Sequence, residues 1–159
     1  QFNGSAMRLA SARLQRAQIH LALEQPRAAL ADCLRAAPRL DALAATGCQA
    51  QAMAALGAIT RARADIEEAL ARAESSPDVM SWAQGIAAEL ALRTGDVRGA
   101  ERWHRAALGN AGSAHFPRIA YAEFLLQQDR PAEVLALLAS VPDDASAMRL
   151  RRRALERPL

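Results

Sequence analysis

Leu92 to Leu108, LRTGDVRGAERWHRAAL, holds a turn, the helix after it, and a spacing that recurs three more times along the chain. Gly95-Asp96 closes one helix and opens the next. Glycine enters the left-handed conformation at a helix end without a Cβ penalty, and aspartate accepts from the unpaired amides of the helix that follows. Val97, Ala100, His104 and Ala107 then come at intervals of three and four, so they share one helical face. Counted from Gly57, Ile59, Ala62, Ile66 and Ala69 occupy the same phase. Counted from Pro26, the phase is filled by Ala29, Cys33 and Ala36. The last copy runs Pro131, Val134, Leu138, Val141.

The offsets between copies are 33 residues from Pro26 to Ile59, 38 from Ile59 to Val97 and 34 from Val97 to Pro131. The longer step contains an insertion, Glu74-Ser75-Ser76-Pro77-Asp78. A second helix precedes each turn, with a small residue nine positions ahead of the face's first residue: Ala17, Ala50, Ala88 and Ala122. Two helices in about 34 residues, with a small residue at the crossing, resemble the tetratricopeptide repeat (TPR) family. In that family aromatics are usual three residues after the crossing and again in the second helix. Here those places hold His20, Met53, Ala91 and Leu125, then Cys33, Ile66, His104 and Leu138.

The resemblance spans about residues 8 to 142. It implies an all-α fold: a right-handed TPR-like α-solenoid of four helix-turn-helix repeats plus a C-terminal helix. The repeats fall at about 7–38, 40–73, 78–109 and 114–141 within residues 7–142, and residues 143–157 form a capping helix or the first half of a truncated next repeat. Gln1 to Ala6 read as an expression scar or a disordered terminus. Pro158-Leu159 end the chain without a natural tail, which reads as excision from a longer protein.

Composition agrees with helix. About a quarter of the 159 residues are alanine, leucine is next, and aromatics make up 4%, which favours helix over sheet. No run approaches the length of a membrane span, and no basic-then-apolar start marks a signal peptide. All twenty basic residues are arginine, which fits a high-GC coding bias. The net charge of +3 is modest and the acids are interspersed, so no nucleic-acid partner is expected. The one basic run, Arg149 to Arg153, reads as a solvated helix face, with an acidic partner or anionic lipid as the alternative.

Catalytic chemistry is not expected. His20 and His104 sit at packing positions and read as buried, hydrogen-bonded core residues, while His115 ends a loop. No pair of histidines has the spacing of a metal-binding helix, no motif cradles phosphate, and nothing assembles a nucleophile, base and oxyanion donor. No cofactor or metal follows. Cys33 and Cys48 lie nearly equidistant from the chain reversal at Pro38 to Leu40. Two readings stand: free thiols acting as small hydrophobes, or a disulfide that implies an oxidising compartment.

The resemblance also implies where a partner binds, since the first helix of each pair lines the concave groove. Carried over, that lining comprises Leu14, Gln18 and Leu21, then Gln51, then Trp82, Glu89 and Leu92, and finally Phe116, Ile119, Glu123 and Leu126. Ser11, Ala44, Gly47, Ala54 and Gly85 complete it, and the small residues of the second repeat would leave a hollow. Trp82 and Phe116 occupy equivalent positions and either contact a partner or pack between neighbouring helices. Apolar and acidic, the lining suits a peptide or helix with apolar and basic side chains. It does not match the family's carboxylate clamp, which grips an acidic tail through Lys and Asn.

The expected function is therefore a non-catalytic protein-protein interaction scaffold, a module of a larger bacterial assembly for envelope secretion, pilus formation or polysaccharide export. The alternatives are a regulatory or sensor domain that binds a signalling peptide or small molecule, and self-association through the C-terminal helix. Location stays open between cell envelope and cytoplasm, with the cysteine pair on the envelope side.

Overall fold

The computed structural model describes residues 2–157, with side chains from Ser5 onward; Gln1, Pro158 and Leu159 lie outside the described residues. Within it the chain is all-helical: α1 (Phe2–Ala22), α2 (Pro26–Ala36), α3 (Ala42–Ala55), α4 (Ile59–Arg72), α5 (Pro77–Arg93), α6 (Val97–Asn110), α7 (Phe116–Gln127), α8 (Pro131–Leu138) and α9 (Ala145–Leu155), with a 3-10 turn at Ala37–Arg39. The first helix begins at Phe2 rather than Met7, although Asn3 and Gly4 are weak helix formers. No helix among the described residues is long and apolar enough to cross a membrane.

Four turns within the helix pairs share one backbone geometry. Each has a residue with positive φ: Glu24 at 57°, Gly57 at 97°, Gly95 at 81° and Asp129 at 58°. In each, the amide that follows donates back across the turn: Gln25 to the His20 carbonyl at 2.8 Å, Ala58 to Met53 at 3.0 Å, Asp96 to Ala91 at 2.9 Å and Arg130 to Leu125 at 3.0 Å. This is the Schellman closure, which satisfies carbonyls that the last helical turn leaves open. Glycine supplies the conformation in two copies only. Glu24 and Asp129 accept a cost there, each followed within two residues by a proline that starts the next helix.

Helix starts are capped where the sequence offers a short polar side chain. Asp41 accepts from the amides of Leu43 and Ala44, Asp96 from Gly99 at 2.8 Å, and Asp144 from Ser146 and Ala147. Ser76 caps α5 just before Pro77, so the inserted residues end α4 at Arg72 and start a new helix cleanly.

Every helix packs on its neighbours in sequence. In addition α1 packs closely on α3, α3 on α5, α5 on α7 and α7 on α9, whereas the backbones of the even-numbered helices stay farther apart and α4 and α6 meet through side chains. The crossings run through the small residues: Ala17, Ala88 and Ala122 are wholly buried and Ala50 is 1% exposed. The second-helix face is buried just as fully at Ala29, Ala62, Ala100 and Val134, and again at Cys33, Ile66 and Leu138. The apolar interior is divided into three successive clusters, around Cys33 and Ala52, around Ile66 and Leu90, and around Phe124 and Leu138.

Polar staples tie helices together within and between pairs. Within the first pair, Arg16 makes two 2.6 Å hydrogen bonds to the buried Asp32, and its guanidinium holds that carboxyl below the usual range. Arg63 links Glu67 in its own helix to Asp96, and Trp103 Nε1 donates to the same Glu67. Arg130 bridges Glu101 and Glu133, and Glu101 also accepts from Tyr121 and Arg105. Within the basic run of α9, Arg151 turns inward to donate to the carbonyls of Leu138 and Val141 and to pair with Asp143. Arg149, Arg152 and Arg153 stay exposed.

Candidate functional site

The odd-numbered helices leave a hollow of about 720 Å³ along their common side. Of the groove residues expected from the sequence, Gln18, Gln51, Trp82, Glu89, Leu92, Phe116 and Glu123 line it, so α1, α3, α5 and α7 all contribute; Gly85 lies there too. Gln18 and Gln51 are joined by a 2.9 Å hydrogen bond across α1 and α3, which closes that end of the wall.

Eight expected groove residues lie outside that lining: Ser11, Ala44, Gly47 and Ala54, and the four larger side chains Leu14, Leu21, Ile119 and Leu126. Leu14 and Leu21, one turn on either side of Gln18, fold against the cluster of Ala17, Cys33 and Cys48. Ile119 and Leu126 are 9% and 1% exposed and belong to the cluster around Phe124 and Leu138. The reason is the same in both helices. A leucine or isoleucine at the border of a face gains more from joining the adjacent apolar cluster than from lining a wet wall, whereas Gln18 and Glu123 must keep their polar ends in water.

The two aromatics behave differently from each other. Trp82 is half-buried and packs against the first and second clusters. It fills the hollow that Gly47 leaves: a Cβ on Gly47 would lie 2.5 Å from Trp82 Cζ3 and 3.1 Å from Ile86 Cδ1. Phe116, the first residue of α7, stands free at the rim, 73% exposed. Trp82 therefore serves the wall's structure as well as its surface, and Phe116 offers its ring to solvent.

Several lining residues fall outside the expected set. Ala107, Ala111 and Ala114, at the end of α6 and in the loop after it, have side chains too short to fill the space between α6 and α7. His104 forms part of the lining beside them. Sequence reasoning placed it in the core as a hydrogen-bonded residue. It is buried, at 8% exposure, but it makes no hydrogen bond with any described residue. Its ring is stacked on Tyr121 at 5.5 Å with 14° between planes and tilted on Phe124 at 5.1 Å. Burial drives its pKa from 6.5 down to about 4, against an upward pull from Glu101, so the imidazole is neutral at physiological pH. The signal was in the sequence only as a polar residue on an otherwise apolar face. Nothing there showed that α7 would sit far enough away to leave the ring beside a hollow.

The other histidines are peripheral. His20 contacts Gln25 Oε1 through Nδ1 at 2.8 Å, with Nε2 3.7 Å from Asp32, and His115 is exposed before α7. Cys33 and Cys48 are joined as a disulfide between α2 and α3, with Cα atoms 5.6 Å apart and both side chains fully buried. Of the two readings of that pair, the structure takes the bridge.

Charge in the hollow has one sign. Asp78, Glu89 and Glu123 are its ionised residues, and no arginine lines it, although the chain has twenty. Glu89 has Arg93 at 3.5 Å, whereas Asp78 and Glu123 pair with no described cation. Outside the hollow the twenty arginines outnumber the remaining acidic residues. No family model matches this chain, and no curated protein or solved structure is matched by it.

Proposed function

We propose that the chain is a right-handed TPR-like α-solenoid of four helix pairs with a C-terminal helix, and that it works as a non-catalytic scaffold holding a segment of another protein in its groove. Support for the array comes from the recurring turn geometry, the buried alanines at equivalent crossings and the packing of odd-numbered helices on one another. One observation carries the binding role: one hollow is walled by residues from five helices, is largely apolar, and has an exposed aromatic at its rim. Ligand sites combine apolar walls with few polar groups, and aromatics concentrate interface energy. The buried disulfide favours an oxidising setting, which agrees with a module of a bacterial envelope assembly.

Selection from a displayed library of random peptides tests this reading. Enriched peptides are expected to compete with one another and to bind the Phe116→Ala protein at least about tenfold more weakly, with helicity unchanged. No enrichment, or enriched peptides indifferent to Phe116→Ala, overturns it.

The size of the hollow supports a second reading, a regulatory domain for a signalling peptide or small molecule, since such sites run from about 300 to 1,000 Å³. Native mass spectrometry of protein purified from its host would then show a retained small molecule. Self-association through α9 is less favoured. Arg149, Arg152 and Arg153 are exposed on that helix, and a cluster of like charges disfavours its burial against a second copy unless carboxylates meet it.

A further inference from the structure

We propose that the deep end of the groove, between α5, α6 and α7, is a socket for an arginine side chain of the bound segment, with the His104 ring accepting from the guanidinium and Glu123 pairing with it. This deepens the groove reading and rests on it.

Three independent observations converge there. The first is charge: carboxylates without arginines in the lining of a net-positive chain set a local preference for a cation. Glu123 is exposed and pairs with no described cation, so its carboxylate is available.

The second is His104. No fully buried side-chain nitrogen or oxygen among the described residues lacks a partner. The unbonded ring nitrogens of His104 therefore remain reachable, and the hollow that the residue lines is the way to them. A neutral imidazole has one donor and one acceptor nitrogen. The Tyr121 and Phe124 rings hold it in place, so its polar edge is preorganised. A guanidinium, which only donates, suits the acceptor nitrogen and an ionised carboxylate together.

The third is shape and surface. Trp82, Phe116 and Phe124 border the same space as Ala107 and Ala114. The alanines leave depth for a methylene stem, and aromatic faces attract a cation that has shed water. Arginine fits better than lysine, since its planar, weakly hydrated head can stack and pair with a carboxylate in one pose. An acidic side chain would meet the Glu123 carboxylate with no arginine in the lining to pair with, and an apolar one would leave the His104 nitrogen unpaired in a drier site.

The probes are the blocked tripeptide Ac-Leu-Arg-Leu-NH2 and counterparts with citrulline, lysine or glutamate in the middle, titrated to millimolar concentration against the whole chain by NMR. Citrulline keeps the shape of arginine and removes its charge. The arginine peptide is expected to shift the Trp82 indole and His104 ring resonances and to bind at least about tenfold tighter than the citrulline peptide, with lysine between them and glutamate weakest. Glu123→Gln, at an exposed site, should reduce the arginine-to-citrulline ratio about threefold or more without altering citrulline binding. His104→Phe keeps a ring in the stack and should weaken arginine binding while leaving the effect of Glu123→Gln in place. Equal affinities for arginine and citrulline, no shift at either resonance, or a ratio unchanged by Glu123→Gln each overturn the socket. Library peptides that lose affinity on Phe116→Ala while the ratio is one would show that the groove binds proteins by other means. If neither set binds, the groove reading falls with the socket.

Discussion

Trp82 lies over Gly47 with no room for a side chain between them, the ring atom Cζ3 being 2.5 Å from where a Cβ would stand. This contact joins α3 to α5 and sets the depth of the groove wall at its middle. Ordinarily Gly→Ala inside a helix stabilises by about 0.5 to 1 kcal/mol. At Gly47 the clash reverses the sign: Gly47→Ala should destabilise by about 1 to 3 kcal/mol and shift tryptophan emission as the indole moves. Gly85, in α5 on the same wall, has nothing within 4 Å of its added Cβ. Gly85→Ala should therefore raise the melting temperature. Equal effects at the two sites would contradict the packing described.

Ala88 and Ile66 are both fully buried, the first at a helix crossing and the second in the face of α4. Ala88→Leu should cost about 1 to 3 kcal/mol by overpacking, and Ile66→Ala about 2 to 5 kcal/mol by leaving a cavity. Chemical denaturation measures both. An unchanged midpoint for Ala88→Leu would mean that the small residue is not needed where the helices meet.

The disulfide spans 15 residues and ties α2 to α3. A loop of that length is stabilised by about 3 kcal/mol when its ends are linked. The Cys33→Ala, Cys48→Ala double variant should unfold at lower denaturant concentration than the oxidised protein and should ignore reductant. Because both side chains are fully buried, reductant should act on the wild type only slowly, at the rate at which α2 and α3 part. Equal stability of oxidised wild type and double variant would remove the structural role.

His104 imposes a pH dependence whose sign follows from burial. Its folded pKa, about 4, lies below the ordinary 6.5. Above pH 6.5 neither state holds the proton. Between 6.5 and 4 the unfolded chain takes up a proton that the native state refuses, so stability falls by up to about 3 kcal/mol and then levels for this group. Asp32, Asp96, Glu101 and Glu133 are held below their ordinary values. Their contribution is present above the usual carboxylate range and is lost at lower pH than that of His104. His104→Phe should flatten the upper part of the profile and leave the acid limb. A profile unchanged by that substitution would refute the assignment.

Much of the fold could be read from residue spacing. The helix start at Asp96, the turns at Gly57 and Gly95, and the burial of Ala17, Ala50, Ala88 and Ala122 all depend on chemistry within one or two helical turns, which the order of residues displays directly. The left-handed turns at Glu24 and Asp129 were less visible, because an acidic residue does not advertise that conformation and only the proline after it does. Eight residues chosen by their phase on the first helix of each pair, Gly85 among them, line the hollow. Leu14, Leu21, Ile119 and Leu126 do not, since phase states that a side chain faces a neighbour without stating whether that neighbour is protein or water.

The amino-acid order by itself determined that this chain is helical, where its helices turn, and which small side chains lie at the crossings, because those follow from local hydrogen bonding and from the 3.6-residue period. Only the tertiary structure decided that Cys33 meets Cys48, that Trp82 fills the place left by Gly47 while Phe116 stays exposed, and that His104 borders a hollow rather than solid core. These depend on the distances between helices. Such distances come from packing all the side chains at once, and no single segment of the chain contains them.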